Sequence, residues 1–396
     1  MRAAHYPRPV AKVLIVGGGI VGITHALEAI ARGFDVEHFE ASAEPRDATP
    51  RSPGTLHFSR AASGVELRAA RDAAERWQAL GVGSAVASPT GSLVIARDDN
   101  ELALLEMLGS RPDAPERGWS VLDVEGTRAV NPALAGRVTG SLHSGLDIVV
   151  QPRLLLEQLH RRLSDHSGYR FHGGTKIRDV GGDSIEDANG RVHRGDLVVL
   201  CTGSDSDLTM SAIGRPAQIR TVRLQLAQTE RCGLELPTPV SEPAALLYCG
   251  IAADGSLDGF LPPSPAASLI GDQEIALTCV QRANGSLTFG EVRQQEEPFD
   301  FGIDRRPLDL LTARMAEILG SPMPPVVRQW DGEVRLPTGG RLWIREDLGP
   351  TVTLITGTGQ RGITLAPSIA AETFDWLTED IDSGATRPGA DQRSVE

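Results

Sequence analysis

Lysine is nearly absent: the 396-residue chain contains only Lys12 and Lys176, so almost all of its positive charge is arginine. Acid outweighs base, giving a formal net charge of −13 with no basic run, which argues against nucleic acid or an anionic membrane surface as a partner. Cysteine is scarce too. Cys201, Cys232, Cys249 and Cys279 show neither CxxC nor metal-ligand spacing, and four in a chain of this length make no disulfide framework. Reduced thiols, no metal site and a cytoplasmic location are therefore expected. No apolar run approaches membrane-spanning length, and the first one is strand-sized and runs into glycines, unlike a signal peptide. No repeat or fibre pattern is present, and the length allows two domains around a large core.

What is present begins at Lys12. KVLIVGGGIVG is a short apolar strand followed by Gly17, Gly19 and Gly22, then a helix-spaced run to Arg32, then Gly33 and a second strand, DVEHFE, closed by Glu40. In a strand–turn–helix of this kind the first glycine permits the tight turn. The second lets a pyrophosphate approach the backbone, and the third lets the helix pack on the sheet. Glu40 is spaced to accept hydrogen bonds from a ribose diol. The unit reads as a dinucleotide site, with NAD(P) and FAD both open at this point.

Residues 41–60, dense in Pro, Ser and Arg, read as a long loop. Helices are expected over 65–80, 100–108 and 152–163, the last with Pro152 at its first position. SLVIA (92–96) and DLVVL (196–200) read as strands, the latter ending in CTGS (201–204). From residue 219 the pattern becomes alternating strands: TVRLQLAQTE, AALLYCGIA, EIALTCVQR and SLTFGEV, the last two joined through Ala283-Asn284-Gly285 as a hairpin. A helix over 307–319 follows. A WDGE turn, a buried strand TVTLITG (351–357), the loop TGQRG and a final helix complete the chain. Parallel-sheet elements at both ends imply an α/β fold. It would comprise a discontinuous Rossmann-like nucleotide-binding domain (1–84, 140–218, 335–383), an inserted antiparallel β-rich domain (85–139, 219–334) and a disordered tail (384–396).

The glycine-rich start with Glu40, the DLVVLCTG strand and the closing TVTLITGTGQRGITLAPSIA segment together resemble the D-amino-acid oxidase, glycine oxidase and sarcosine oxidase superfamily of FAD enzymes over nearly the whole chain. The DATPRSPG loop, TVRLQLAQ, ANGSLTFGE and RQWDGEVRLPTGGRLWI look most like a bacterial branch of FAD-dependent oxidoreductases, some encoded beside aminophosphonate catabolism genes. The resemblance implies noncovalent FAD. It places cofactor contacts at Gly17, Gly19, Ile20, Val21, Gly22, Glu40 and Ala41, and at Thr49, Arg51, Ser52 and Gly54 in the loop. Further contacts are implied through the backbone at Lys176 or Ile177, at Thr202 and Gly203, and at Gly357, Gly359, Gln360, Arg361, Gly362, Ile363 and Thr364. Arg361 stands where relatives more often carry a small residue, and Pro53 and His57 replace bulkier side chains.

The activity that the resemblance implies is oxidation of the C–N bond of a small, anionic amine or amino acid. Hydride passes to flavin N5, the imine is hydrolysed, and electrons pass to O2 to give H2O2. A lysine that speeds the oxygen reaction in sarcosine-oxidase-like relatives has no counterpart after Lys176. Arg335 resembles the arginine that grips substrate carboxylate, which suits bidentate recognition of carboxylate or phosphonate; Arg51 and His57 are the next candidates. Arg223, Tyr248 and Trp330 are weighed as pocket residues against packing roles, and Cys279 is expected to pack rather than tether flavin. Oxidation of a 2-hydroxy acid or a biosynthetic intermediate, and flavin binding without turnover, stay open as alternatives, as does a homodimer.

Overall fold

The computed structural model of the chain describes residues 11–203, 208, 218–255, 257, 274–295, 299, 302–303 and 305–383. β1 (Lys12–Val16), α1 (Ile20–Ala31) and β2 (Asp35–Glu40) form the opening unit. They belong to a six-stranded sheet in the order 344–347, 352–356, 197–200, β1, β2, 169–173. All its neighbours are parallel except the first pair. Alternation along β1 sends Val13 and Ile15 into a core with α1 and the helices 65–79, 152–164 and 362–383. Leu14 and Val16 go to the opposite face, with Phe39, Ile185, Val198 and Leu200. Both faces are covered, which is why this strand reads as an unbroken apolar run.

An eight-stranded sheet runs in the order 326–337, 219–231, 286–294, 274–281, 240–241, 92–96, 140–144, 119–122. Ile275, Leu277 and Cys279 pack with Phe289 against Leu308, Leu311 and Met315 of the helix Arg305–Leu319. The alternate residues of the same strand face the other way and line the cleft described below. The expected hairpin is present: the Gly285 N–H donates to the Arg282 carbonyl at 2.8 Å, with Gly285 at φ +83°.

Several expectations need correction. Gly140–Ser144, placed by the sequence reading in the nucleotide-binding part, pairs with 92–96 and 119–122 in the eight-stranded sheet. AALLYCGIA is not a strand: Pro243, which has no N–H to give a ladder, opens a 3-10 turn that a second one continues to Asp254. The WDGE segment makes no turn, because Asp331 and Gly332 pair with Gln225 and Leu224 inside one continuous strand, Val326–Pro337. Thus Arg335 lies within that strand, opposite Thr221. The loop over 41–60 contains a short helix (Ala48–Arg51), a two-residue strand and a 3-10 turn (Phe58–Arg60). Ser204 and the tail expectation for 384–396 lie outside the described residues. Among the described residues no helix is long and apolar enough to cross a membrane.

Candidate active site

A cleft of about 1210 Å³ opens between the two sheets, larger than the roughly 300–1,000 Å³ of typical small-ligand pockets. The glycine turn forms one end. Gly17 adopts φ +109°, and a Cβ there would sit 2.1 Å from the Cys201 carbonyl oxygen. A Cβ on Gly22 would sit 1.8 Å from the Gly17 carbonyl oxygen, so the helix meets the turn backbone to backbone. Gly19 caps α1 with no side chain of its own. The Ile20 N–H donates to Thr49 Oγ1 at 3.2 Å. Glu40 accepts from the Gly18 N–H at 2.8 Å and the Ser42 N–H at 2.9 Å, which holds its carboxylate at the end of β2 with lone pairs to spare.

The cleft brings together Gly17, Gly19, Ile20, Val21, Gly22, Glu40, Thr49, Arg51, Ser52, His57, Thr202, Gly203, Arg335 and the whole stretch from Gly357 to Thr364. Trp77 fixes that last stretch by donating its indole N–H to the Ile363 and Thr364 carbonyls at 3.1 and 3.2 Å. Ala41, Gly54, Lys176 and Ile177 are not part of the lining; the Gly54 carbonyl accepts from the Val150 N–H. Ala41 is exposed, the Lys176 carbonyl accepts from the Ala188 N–H, and Ile177 is buried in the core behind the sheet. Tyr248 lines the cleft. Arg223 instead pairs with Asp331 at 2.6 Å, and the Trp330 indole donates to the Arg51 carbonyl at 2.8 Å. Arg51 is spent on structure, donating to the Arg46 and Asp331 carbonyls. Cys279 packs in the apolar core, and burial pushes its thiol up to about 12.

The charged lining is where sequence reasoning was thinnest. Arg293, 3% exposed, donates to Gln360 Oε1 at 2.6 Å. It lies 3.4 Å from Glu291 and 3.5 Å from Glu274, and stacks over the Tyr248 ring at 4.5 Å. Gln360 also donates to Glu291 at 2.5 Å, linking the Gly357–Thr364 stretch to the eight-stranded sheet. Arg361 pairs with the buried Glu66. Arg97 pairs with Glu101, Arg314 with Glu242 and Arg51 with Asp331. Of the lining arginines that are not exposed, only Arg60 and Arg335 have no carboxylate within 4.0 Å among the described residues. Arg60 is 3% exposed and donates to Ser241 Oγ at 2.7 Å. Nothing in its local sequence marks it, because FSRAA shows one arginine among many. Among the described residues, six of the ten buried side-chain polar atoms without a hydrogen-bond partner belong to lining residues: His57 Nε2, Glu242 Oε2, Glu274 Oε2, Arg293 Nε, Arg335 Nε and Thr356 Oγ1; of these, Arg293 Nε and Glu274 Oε2 face each other at 3.5 Å and Glu242 Oε2 lies 3.5 Å from Arg97. Such atoms normally find partners, so their concentration here fits a cleft built around a polar ligand.

The family described as DAO, FAD dependent oxidoreductase, matches residues 12–376. The chain belongs to that family. The DAO-family assignment agrees with individual similarities. A protein of Rhizobium etli named as a thiamine biosynthesis oxidoreductase, ThiO, is 28% identical over 235 residues, 58% of this chain and 63% of its own length. The match thus spans less than two thirds of that relative. Glycine oxidase from Bacillus cereus superposes with a TM-score of 0.73 over 93% of this chain and 95% of its own, at 16% identity. Iminodiacetate oxidase from a Chelativorans species gives 0.68 over 95% and 96%, at 20% identity. Both share the fold.

As a DAO-family enzyme the protein uses FAD. The cleft fits it: the side-chain-free turn at Gly17–Gly19 and the N-terminus of α1 suit the pyrophosphate, and Glu40 suits the ribose. The Gly357–Thr364 stretch and the Thr49–Ser52 segment suit the ring system. When bound, FAD supplies the two-electron oxidising chemistry.

Proposed function

We propose that the protein oxidises the C–N bond of a small primary or secondary amine that carries an anionic group, an amino acid or a close analogue. The substrate loses two electrons and becomes an imine that water hydrolyses to a carbonyl product, with O2 as acceptor and H2O2 as its product. In this reading the six-stranded part holds FAD and the eight-stranded part forms the substrate side.

The observation that carries the reading is the pair of guanidiniums, Arg60 and Arg335, that have no carboxylate within 4.0 Å among the described residues, in a cleft whose other non-exposed arginines are all paired. A buried cation without a carboxylate is costly unless an anion joins it. A guanidinium holds carboxylate or phosphonate through two parallel hydrogen bonds. The relatives named for oxidation of glycine and iminodiacetate act on amines bearing carboxylates, which supports the same class here.

Anaerobic mixing of the holoenzyme with amino acids, N-methyl amines, aminophosphonates and 2-hydroxy acids tests this directly. Bleaching of the flavin by an anionic amine, followed by return of colour and peroxide on readmitting air, is expected. Bleaching by hydroxy acids alone, or by nothing, overturns the amine assignment; bleaching without return of colour in air overturns O2 as acceptor.

A further inference from the structure

His57 and Asp147 form a pair that oxidation of a neutral amine does not require. Asp147 is 1% exposed and sits between the strands 140–144 and 148–150. Its carboxylate accepts from the Ser59 N–H at 3.0 Å, Ser59 Oγ at 2.9 Å, Ser92 Oγ at 2.6 Å and His57 Nδ1 at 3.3 Å. Burial pushes this carboxyl up, but the donors around it and the nearby Arg60 charge leave it below the usual carboxylate range. Asp147 is therefore ionised, Nδ1 of His57 carries the hydrogen, and Nε2 presents a lone pair. That Nε2 is buried and has no hydrogen-bond partner among the described residues, while the imidazole lines the cleft three positions before Arg60. The charges facing the ring are Arg60 on its own turn, Asp147, and Glu291 from the strand 286–294. Burial first, and Arg60 second, hold His57 below its ordinary value despite the two carboxylates, so it is neutral at neutral pH.

We propose that His57 Nε2 accepts the proton of the substrate amine, and that Asp147 is the positioning residue that fixes the tautomer for this. The inference rests on the amine reading above. An amine held by its anionic group on Arg60 has N–H donors to offer, and Nε2 is an acceptor lacking a donor a few residues along the same turn. If the amine arrives as an ammonium, one N–H bond breaks and its electron pair stays on nitrogen. The proton bonds to Nε2, and the resulting imidazolium faces the Asp147 carboxylate. The neutral amine that remains is the form whose lone pair supports loss of electrons from the adjacent carbon.

The test uses holoenzyme labelled with ¹⁵N-histidine, the His57 signals being assigned by their loss in His57→Gln. The probe is 2-aminoisobutyrate, an anionic amine with no hydrogen on its α-carbon. The expected result is an Nδ1–H tautomer whose Nε2 resonance moves when the probe binds. In parallel, anaerobic flavin reduction by the best amine of the panel should lose rate below a pKa under 6.5 in the wild type. His57→Gln should be slower, by roughly 10²-fold, and should lack that acid limb. Asp147→Asn should lower the reduction rate with little change in substrate Kd. An acid limb that persists in His57→Gln, or an Nε2 resonance that responds to FAD loading and not to the bound probe, overturns the proposal while leaving amine oxidation intact. If no amine reduces the wild-type flavin, the amine reading itself fails and this assignment with it.

Discussion

His38 Nε2 lies 2.8 Å from the Gly17 carbonyl oxygen, and its Nδ1 lies 2.9 Å from the Tyr169 hydroxyl. A carbonyl only accepts, so Nε2 carries the hydrogen and donates it, and Nδ1 accepts a hydrogen bond from the Tyr169 hydroxyl. The imidazole thereby fixes the carbonyl of Gly17, the first glycine of the turn between β1 and α1. In His38→Leu the Gly17 carbonyl and the Tyr169 hydroxyl lose their partner in a buried site, at about 1–3 kcal/mol per unpaired group. A lower urea midpoint and weaker FAD binding are expected, with Tyr169→Phe milder on both. Unchanged FAD affinity in His38→Leu would remove the buttress from the account.

Acid should destabilise the fold before it protonates most carboxylates. His25 and His38 are buried, and desolvation lowers both to about 4. The unfolded chain binds those protons near the ordinary value of 6.5 and the native state does not, so ν_U exceeds ν_N between the two values and stability rises with pH there. Their contribution is complete above about pH 6.5 and is lost as pH falls toward 4, at roughly 3 kcal/mol per histidine. Urea midpoints measured at pH 7.5, 6, 5 and 4 check this; His25→Gln should flatten the slope, and an equal slope in that variant counts against it.

Gly22→Ala sets two effects against each other. Alanine in a helix gains about 0.5–1 kcal/mol over glycine, but this Cβ would press into the Gly17 carbonyl at 1.8 Å. The clash should win, giving protein that purifies without flavin or fails to fold. Gly83→Ala is the control: it has open space and no positive φ, so a change within about 0.5 kcal/mol and full flavin content are expected.

Arg60→Ala and Arg335→Ala should each raise KM for an anionic amine far more than they lower kcat. A charge-assisted hydrogen bond contributes about 1.5–3 kcal/mol, so the expected rise is roughly tenfold to a hundredfold. An amine lacking the anionic group should show little change. Steady-state kinetics on the pair of substrates decide the matter, and equal effects on both would mean that the arginines support the fold rather than the anion.

FAD should leave the protein on acid precipitation. Cys201 and Cys249 line the cleft, yet burial raises both thiols above their ordinary value, so neither presents a thiolate for a flavin linkage. The supernatant of an acid-denatured sample is expected to be yellow and the pellet white.

The α/β class, the first β–α–β unit, the helix at Pro152 and the hairpin at Asn284-Gly285 were legible because each depends on neighbours within a few positions. Apolar spacing selects strand or helix, and a glycine with positive φ selects a turn. The same locality explains the misreadings. Asp331-Gly332 looks like a turn in isolation, but eleven residues of the strand Ile219–Arg231 beside it pair with Val326–Pro337 and hold it extended. AALLYCGIA has strand composition, but Pro243 withholds the N–H that a ladder needs.

The glycine turn at one end of the cleft was legible in the sequence by itself, since a strand that runs through a tight turn into a helix packed against it leaves no room for a Cβ at Gly17 or Gly22. At the other end the sequence offered Arg335 only through resemblance, and the arrangement of charges around it was decided by tertiary structure. Thirty-nine basic residues against fifty-two acids do not say which cations form contact ion pairs; packing pairs Arg361 with Glu66 and Arg293 with Glu291, and among the described residues leaves no carboxylate within 4.0 Å of Arg60 or Arg335. Nor does the sequence show a histidine and an aspartate in contact when they are ninety positions apart. The contact exists because the turn at Phe58–Arg60 packs against the one carrying Asp147, and burial there turns a loop histidine into a directed acceptor.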